Sequence, residues 1–169
     1  QEGGGLAIGA MTTYTDIETS SAVRSVAPAL AEAAGMVADR QVRNMGTIGG
    51  CLAHADPAGD LPAVILALDA KIVTSSSGPH RAISADDFFV DFFTTALQPN
   101  EIINEIQIPA LPAGTGTAYA KFGNKASHYA IVGIAAVVTA RGGTCQSVRI
   151  GITGAGPKAT RAAAAEAAL

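Results

Sequence analysis

Gln41-Val42-Arg43-Asn44-Met45-Gly46-Thr47-Ile48-Gly49-Gly50-Cys51-Leu52-Ala53-His54-Ala55-Asp56-Pro57-Ala58-Gly59-Asp60-Leu61 decides how this chain is read. The stretch is polar and glycine-rich, set between a helix-like segment and an apolar run, and reads as a long loop of the kind that touches a ligand. Gly46, Gly49 and Gly50 remove Cβ atoms where backbone must turn or approach another group closely. Gly49-Gly50 is expected to leave two consecutive N–H groups free to point at an anion or a carbonyl. Thr47 adds a hydroxyl donor, and Asp60, just before the apolar Leu61 to Leu68, offers a carboxylate able to accept from sugar-type hydroxyls. A P-loop needs a Lys-Ser/Thr pair after its last glycine, and a dinucleotide fingerprint needs Gly-x-Gly-x-x-Gly opening a helix after a strand. Neither pattern is met here.

Strand and helix signals surround this stretch. Leu6 to Ala10 reads as a strand, with Thr12 or Thr13 capping a first helical turn that carries Asp16 and Glu18. Val23, Val26, Leu30, Ala33, Ala34 and Val37 recur near helical period, giving one or two helices over 21–37 broken near Pro28. Leu61 to Leu68 opens with Pro62 and is expected to be a short helix, followed by strands over 70–74 and 81–83. Ser84 is placed to cap Ala85 to Phe89, and 101–108 reads as a strand whose isoleucines 102, 106 and 108 share one face. Pro109-Ala110-Leu111-Pro112-Ala113-Gly114-Thr115-Gly116 interrupts everything regular and marks a boundary, giving units 1–111 and 112–169. Beyond it, 117–122, 130–140 and 147–152 read as strands and 159–169 as a helix cut short. Strands and helices do not alternate regularly, so the expected class is α+β with a mixed or antiparallel sheet.

The central stretch resembles the Arg-Asn-x-Gly-Thr-Ile-Gly-Gly-Asn…Asp-Pro-x-x-Asp-Leu motif of the flavin-binding medium subunit of molybdenum hydroxylases, the group of xanthine dehydrogenase, aldehyde oxidoreductases and aerobic carbon monoxide dehydrogenase. Leu6 to Tyr14, Asn100 to Pro109, Tyr119-Ala120-Lys121-Phe122 and Gly151 to Pro157 with Arg161 and Glu166 resemble that subunit in the same order. The resemblance implies the second subdomain of a PCMH-type FAD-binding domain, followed by the antiparallel-sheet start of a C-terminal α+β domain. It also implies a fragment: an N-terminal subdomain with its own pyrophosphate loop is expected before Gln1, and the C-terminal domain is expected to continue past Leu169. The implied function is electron transfer through FAD to an external acceptor. Electrons come from [2Fe-2S] clusters of a small subunit, reduced in turn by a large molybdopterin subunit. The redox chemistry belongs to the cofactor, and the protein orients it and tunes its electrostatics. The rival reading is a non-catalytic fragment or scaffold module that has lost FAD binding, with Cys51 in place of the family's Asn as its first sign.

On this resemblance Thr47, Ile48, Gly49 and Gly50 line the flavin, with backbone amides and the Thr47 hydroxyl on its polar edge or phosphate-bearing chain. Asp60 accepts from the ribityl chain, a role compatible with capping the helix at Leu61. Lys121, which by pattern alone is a strand lysine on the solvent face, reaches the ring, and Ile102 and Ile103 pack on it. An open cofactor face is also expected to expose Ile48, Leu52 and Ile102. His54 with Asp56 lacks a third ligand nearby and falls short of a metal site, and Arg43 is read as holding the loop. No Ser-His-Asp or Cys-His system stands out as a nucleophile, so no catalytic residue is assigned.

At 169 residues the chain can bury about 70% of its unfolded surface, enough for a core. Hydrophobic residues are 49% and charged residues 15%, so the chain is apolar for a globular domain. Its net charge of −3, with scattered basic residues, gives no stripe for nucleic acid and no cluster for an anionic membrane. The longest apolar stretch, Ala130 to Val138, is far short of the ~18–20 residues of a spanning helix. A cytoplasmic setting is expected, with Cys51 and Cys145 as free thiols too few to ligate a four-cysteine cluster.

Overall fold

The computed structural model describes residues 4–169. Strand β1 (Leu6–Gly9) leads into α1 (Tyr14–Thr19), started by a capping box: Asp16 N–H donates to the Thr13 hydroxyl oxygen, and the Thr13 N–H donates to the Asp16 carboxylate. Thr13→Ala removes that cap and is expected to cost about 1 kcal/mol. Thermal unfolding should show a fall of roughly 2–4 °C, and an unchanged midpoint would mean that the cap is not formed.

Helices α2 (Ser21–Val26) and α3 (Pro28–Gly35) meet at the expected break, because Pro28 has no N–H to give a continuous helix but suits a first turn. The stretch expected to be a long loop is instead largely helical: α4 (Arg40–Met45) is capped by Asp39 and α5 (Ile48–His54) by Thr47. Local side-chain caps and the burial of Ile48 and Leu52 outweigh the low helix propensity of Gly49 and Gly50. Arg43 holds this segment as read, donating to the Val37 carbonyl at 3.0 Å and pairing with Glu18 at 3.3 Å.

Helix α6 (Asp60–Ala67) is buried along its whole length, as a helix that is apolar on every side after its first residue must be. Strands β2 (Lys71–Ser75) and β3 (Arg81–Ser84) follow, then α7 (Ala85–Phe88), capped by Ser84, and a small hairpin of β4 (Phe89–Asp91) and β5 (Thr94–Thr95) that the sequence did not signal. Strand β6 (Ile102–Ile108) completes an antiparallel sheet in the order β1-β6-β2-β3. The second sheet, order β10-β9-β8-β7, is built from β7 (Thr115–Gly123), β8 (Ala130–Arg141), β9 (Thr144–Thr153) and β10 (Thr160–Arg161). All named strand pairs are antiparallel. The closing helix α8 is one turn, Ala163–Glu166, because 160–161 instead join the sheet and Arg161 ties back to Glu166 at 2.6 Å.

One expected face is corrected. Val73 pairs with Glu105 but Thr74 pairs with Ile103, so Asn104 is an extra residue in β6 and its carbonyl accepts from the Ala10 N–H at 2.9 Å. This bulge flips the alternation. Ile106 and Ile108 stay in the core, Ile103 becomes the residue half-buried against it, and Ile102 is turned out with 69% exposure.

Helix α6 ties the two sheets together. Its apolar side chains Leu61, Val64 and Ile65 are fully buried with Leu30, Ile72 and Ile106, and its other side lies directly on β8 and β9. The approach to β9 is possible because residue 151 is glycine: a Cβ there would sit 2.0 Å from the Ala63 carbonyl oxygen. Strand β9 also grips the segment leading into α6, since the Thr153 hydroxyl lies 2.7 Å from both the Pro57 and the Gly59 carbonyl oxygens.

Candidate functional site

The glycines of the central stretch serve close approach, not free amides. A Cβ at Gly49 would lie 2.6 Å from the Ala10 Cβ, and one at Gly46 would lie 2.5 Å from the Tyr14 ring. Ile48 N–H donates to the Thr12 carbonyl, Gly49 N–H to the Ala10 carbonyl at 2.8 Å, Gly50 N–H to the Thr47 hydroxyl oxygen at 3.1 Å and Cys51 N–H to the Thr47 carbonyl. The expectation of amides aimed at a ligand is therefore overturned: as first-turn groups of α5 they are already satisfied. Ile48 and Leu52 are interior, not exposed, and Gly49 is buried with them. Outward-facing chemistry on α5 comes from the exposed Gly50, the half-buried Cys51 and the Thr47 hydroxyl, whose proton has no acceptor among the described residues.

Asp60 is not the helix cap. Gly59 holds the cap position and Asp60 is the first residue of α6, 5% exposed. Its carboxylate oxygens are held separately, Oδ1 accepting from the Tyr119 hydroxyl at 2.6 Å and Oδ2 from Lys121 Nζ at 2.8 Å. Lys121 also donates to the Met36 carbonyl at 3.0 Å, and its side chain is 6% exposed. Lys121 thus points inward from β7, which corrects the solvent-face pattern reading. Tyr119 and Lys121 stand two apart on one strand, so both reach the same face.

Burial lifts the Asp60 carboxyl above the usual carboxylate range, opposed by the hydrogen bonds from Lys121 and Tyr119. Burial also raises Tyr119 and Tyr14 well above the ordinary phenol range, so both remain donors at any physiological pH. The Cys51 thiol is pushed up to about 11 by burial and is neutral near pH 7. A neutral thiol there is a weak hydrogen-bonding group and a poor nucleophile.

Cys51 and Asp60 line one side of an open pocket of about 220 Å3, closed by Tyr14, Val37, Val42, His128 and Tyr129. Lys121 lies directly behind Asp60, and Thr47 lies one turn before Cys51 on the same face of α5. Ile102 and Ile103 do not border this pocket; they lie at the start of β6 beside the bulge. Sequence reasoning missed Tyr14, Tyr119, His128 and Tyr129. For Tyr119 a signal existed, its two-residue spacing from Lys121. Tyr14, His128 and Tyr129 carried none. Among the described residues no group of three His, Cys, Asp or Glu side chains could hold a metal ion, and His54 Nε2 lies 4.0 Å from Asp56.

A mostly apolar wall with a buried carboxylate, two histidines and two tyrosines suits a planar ring carrying hydroxyl donors, with the Thr47 hydroxyl one turn away outside the wall. The pocket is smaller than the roughly 300–1,000 Å3 of a complete small-molecule site, and residues 48–51 have no amides to spare for a pyrophosphate. The residues therefore fit part of an FAD molecule and offer no cradle for its pyrophosphate.

The chain belongs to the family of FAD-binding domains in molybdopterin dehydrogenases, which matches residues 1–111, and residues 117–169 match the carbon monoxide dehydrogenase flavoprotein C-terminal domain. It is similar to the carbon monoxide dehydrogenase medium chain of Hydrogenophaga pseudoflava, 42% identical over 161 residues that make up 95% of this chain and 56% of that one. It is as similar to the 6-hydroxypseudooxynicotine dehydrogenase complex subunit alpha of Paenarthrobacter nicotinovorans, 42% identical over 95% of this chain and 55% of that one. Among solved structures, carbon monoxide dehydrogenase from Hydrogenophaga pseudoflava lacking the Mo-pyranopterin moiety superposes with a TM-score of 0.96 at 46% identity, covering all of this chain and 59% of the other. Quinoline 2-oxidoreductase from Pseudomonas putida 86 gives 0.90 at 33% identity, covering 99% and 58%. The chain thus spans somewhat over half the length of the relatives it matches.

Proposed function

We propose that this chain contributes the ring-edge and ribityl side of an FAD site in the electron-transferring subunit of a molybdopterin-dependent oxidoreductase, acting with a small iron–sulfur subunit and a large molybdopterin subunit. The division at residues 111/112 belongs to the same reading, as does the absence of a catalytic residue from this chain. Bound FAD supplies the redox chemistry. The observation that carries the reading is the buried Asp60 carboxylate at the edge of the pocket, in a chain of this family.

The residues have separable tasks. Asp60, with two of its roughly four lone-pair directions taken by Tyr119 and Lys121, keeps the others for hydroxyl donors. Thr47 offers its hydroxyl proton, and Gly50 and Cys51 present a surface without a bulky side chain. Lys121 favours the ionised form of Asp60 against the effect of burial and places a positive charge behind the carboxylate. Tyr14, Val42 and Tyr129 cover the apolar flank and exclude water.

FAD affinity of the protein expressed from its full gene tests this reading. Asp60→Asn keeps size and an acceptor for Tyr119 but removes the charge, and should weaken FAD binding about 10–100-fold, since a hydrogen bond to a charged group is worth roughly 1.5–3 kcal/mol. Unchanged affinity in a folded variant would remove Asp60 from the site.

A further inference from the structure

We propose that Tyr119 is a positioning residue for the flavin-binding carboxylate, fixing the direction of Asp60 while Lys121 supplies the charge; this rests on the flavin reading of Asp60. Nothing on α6 itself fixes that side chain, which sits in the first turn after Gly59 and caps no backbone group. Two donors from one strand hold its two oxygens apart, so the carboxylate plane is set by β7 and not by its own helix.

Tyr119 is itself fixed. Its N–H donates to Glu32 Oε2 on α3 at 2.9 Å, it is 5% exposed, and its hydroxyl lies over Gly133 of β8, where a Cβ would be 2.2 Å from the phenol oxygen. It does not border the pocket, so it acts on a ligand only through Asp60. The titratable and charged groups facing Asp60 are Tyr119 and Lys121 from β7, Cys51 from α5 and Tyr14 from α1, with Asp56, His54, His128 and Tyr129 also at the pocket. Of these, Tyr119 and Lys121 hydrogen-bond the carboxylate and favour its ionised form.

The sign of the pH effect follows. Asp60 accepts from ribityl hydroxyls as a carboxylate, so FAD binding falls as pH drops through its titration. Removing the Tyr119 hydroxyl makes protonation easier and moves that loss to higher pH.

The experiment measures FAD dissociation constants from pH 4.5 to 8 for the full-gene protein, wild type, Tyr119→Phe, Asp60→Asn and the double variant. Tyr119→Phe should weaken binding about tenfold at pH 7 and raise the acid midpoint by roughly one pH unit. In the Asp60→Asn background the same change should alter affinity less than about twofold, since the residues act as a coupled pair. A tyrosine that served packing alone would lower the melting temperature and leave the acid midpoint in place, and that result overturns the proposal. In flavin-free protein, the 13C carboxyl signal of Asp60 should titrate at higher pH in Tyr119→Phe; an unmoved midpoint overturns Tyr119's hold on Asp60 whatever the ligand. If Asp60→Asn binds FAD normally while that signal does move, the flavin reading fails and the positioning stands for another ligand. If Tyr119→Phe does not fold, 3-fluorotyrosine at position 119, a stronger donor, should move both midpoints down, and no movement counts against the proposal.

Discussion

Asp60→Ala is expected to unfold this protein far more readily than any surface substitution, by about 3–5 kcal/mol. The change leaves the Lys121 ammonium in a site where its side chain is 6% exposed, and it strips the Tyr119 hydroxyl of its acceptor. Removing one partner of a buried pair costs more than the pair contributes, because the remaining charge keeps its desolvation penalty. For a chain of 169 residues the melting temperature should fall on the order of 10 °C. The double variant Asp60→Ala with Lys121→Met should recover part of the loss, since it removes the stranded charge. A single variant that melts with the wild type would show that Asp60 and Lys121 do not pair in solution. Asp60→Asn also strands the Lys121 charge but keeps the side-chain volume and an acceptor for Tyr119, so it disturbs the fold less and is the better probe of cofactor binding.

Gly151→Ala is expected to be nearly as severe. A methyl group at 151 would sit 2.0 Å from the Ala63 carbonyl oxygen and 2.8 Å from its carbon, so backbone must move, not a flexible side chain. Helix α6 would have to lift from β9, opening the packing of Ala63 and Ala67, both fully buried. Overpacking of this kind costs typically 1–3 kcal/mol and more where backbone is the obstacle, so about 3 kcal/mol is expected. Gly116→Ala is the control: nothing lies within 4 Å of its Cβ position, and its effect should stay within about 0.5 kcal/mol. Equal melting curves for the two variants would mean that α6 does not rest on β9 as described.

Cap and break signals were legible because they are local. Thr13 with Asp16, Ser84 with Asp87 and Pro28 each act within one helical turn, and the structure places helix starts at all three. Three of the four strands of the second sheet, β7, β8 and β9, were legible from their apolar runs, while β10 falls where a helix was expected. The helices inside 40–54 were not, since Gly49 and Gly50 disfavour a helix, and α5 forms through the Thr47 cap and close packing against Ala10 and the core. The face of β6 was misread because an alternation rule assumes an unbroken ladder, and the bulge at Asn104 depends on pairing with β2. At the site, Asp60 and Lys121 were picked out from the sequence, but their contact spans 61 residues and no local pattern encodes it.

By itself the sequence determined the α+β class, the family and the residue types of the site, because caps, periodicity and a long motif are written in neighbouring residues. Only the tertiary structure decided that the glycine amides are spent on the Ala10 carbonyl and the Thr47 hydroxyl, that Ile102 faces out, and that Asp60 is a buried partner of Tyr119 and Lys121 instead of a helix cap. The reason is physical: a hydrogen bond or a close backbone approach is set by distance in space, and α6 brings residues of both sheets together that the chain keeps far apart.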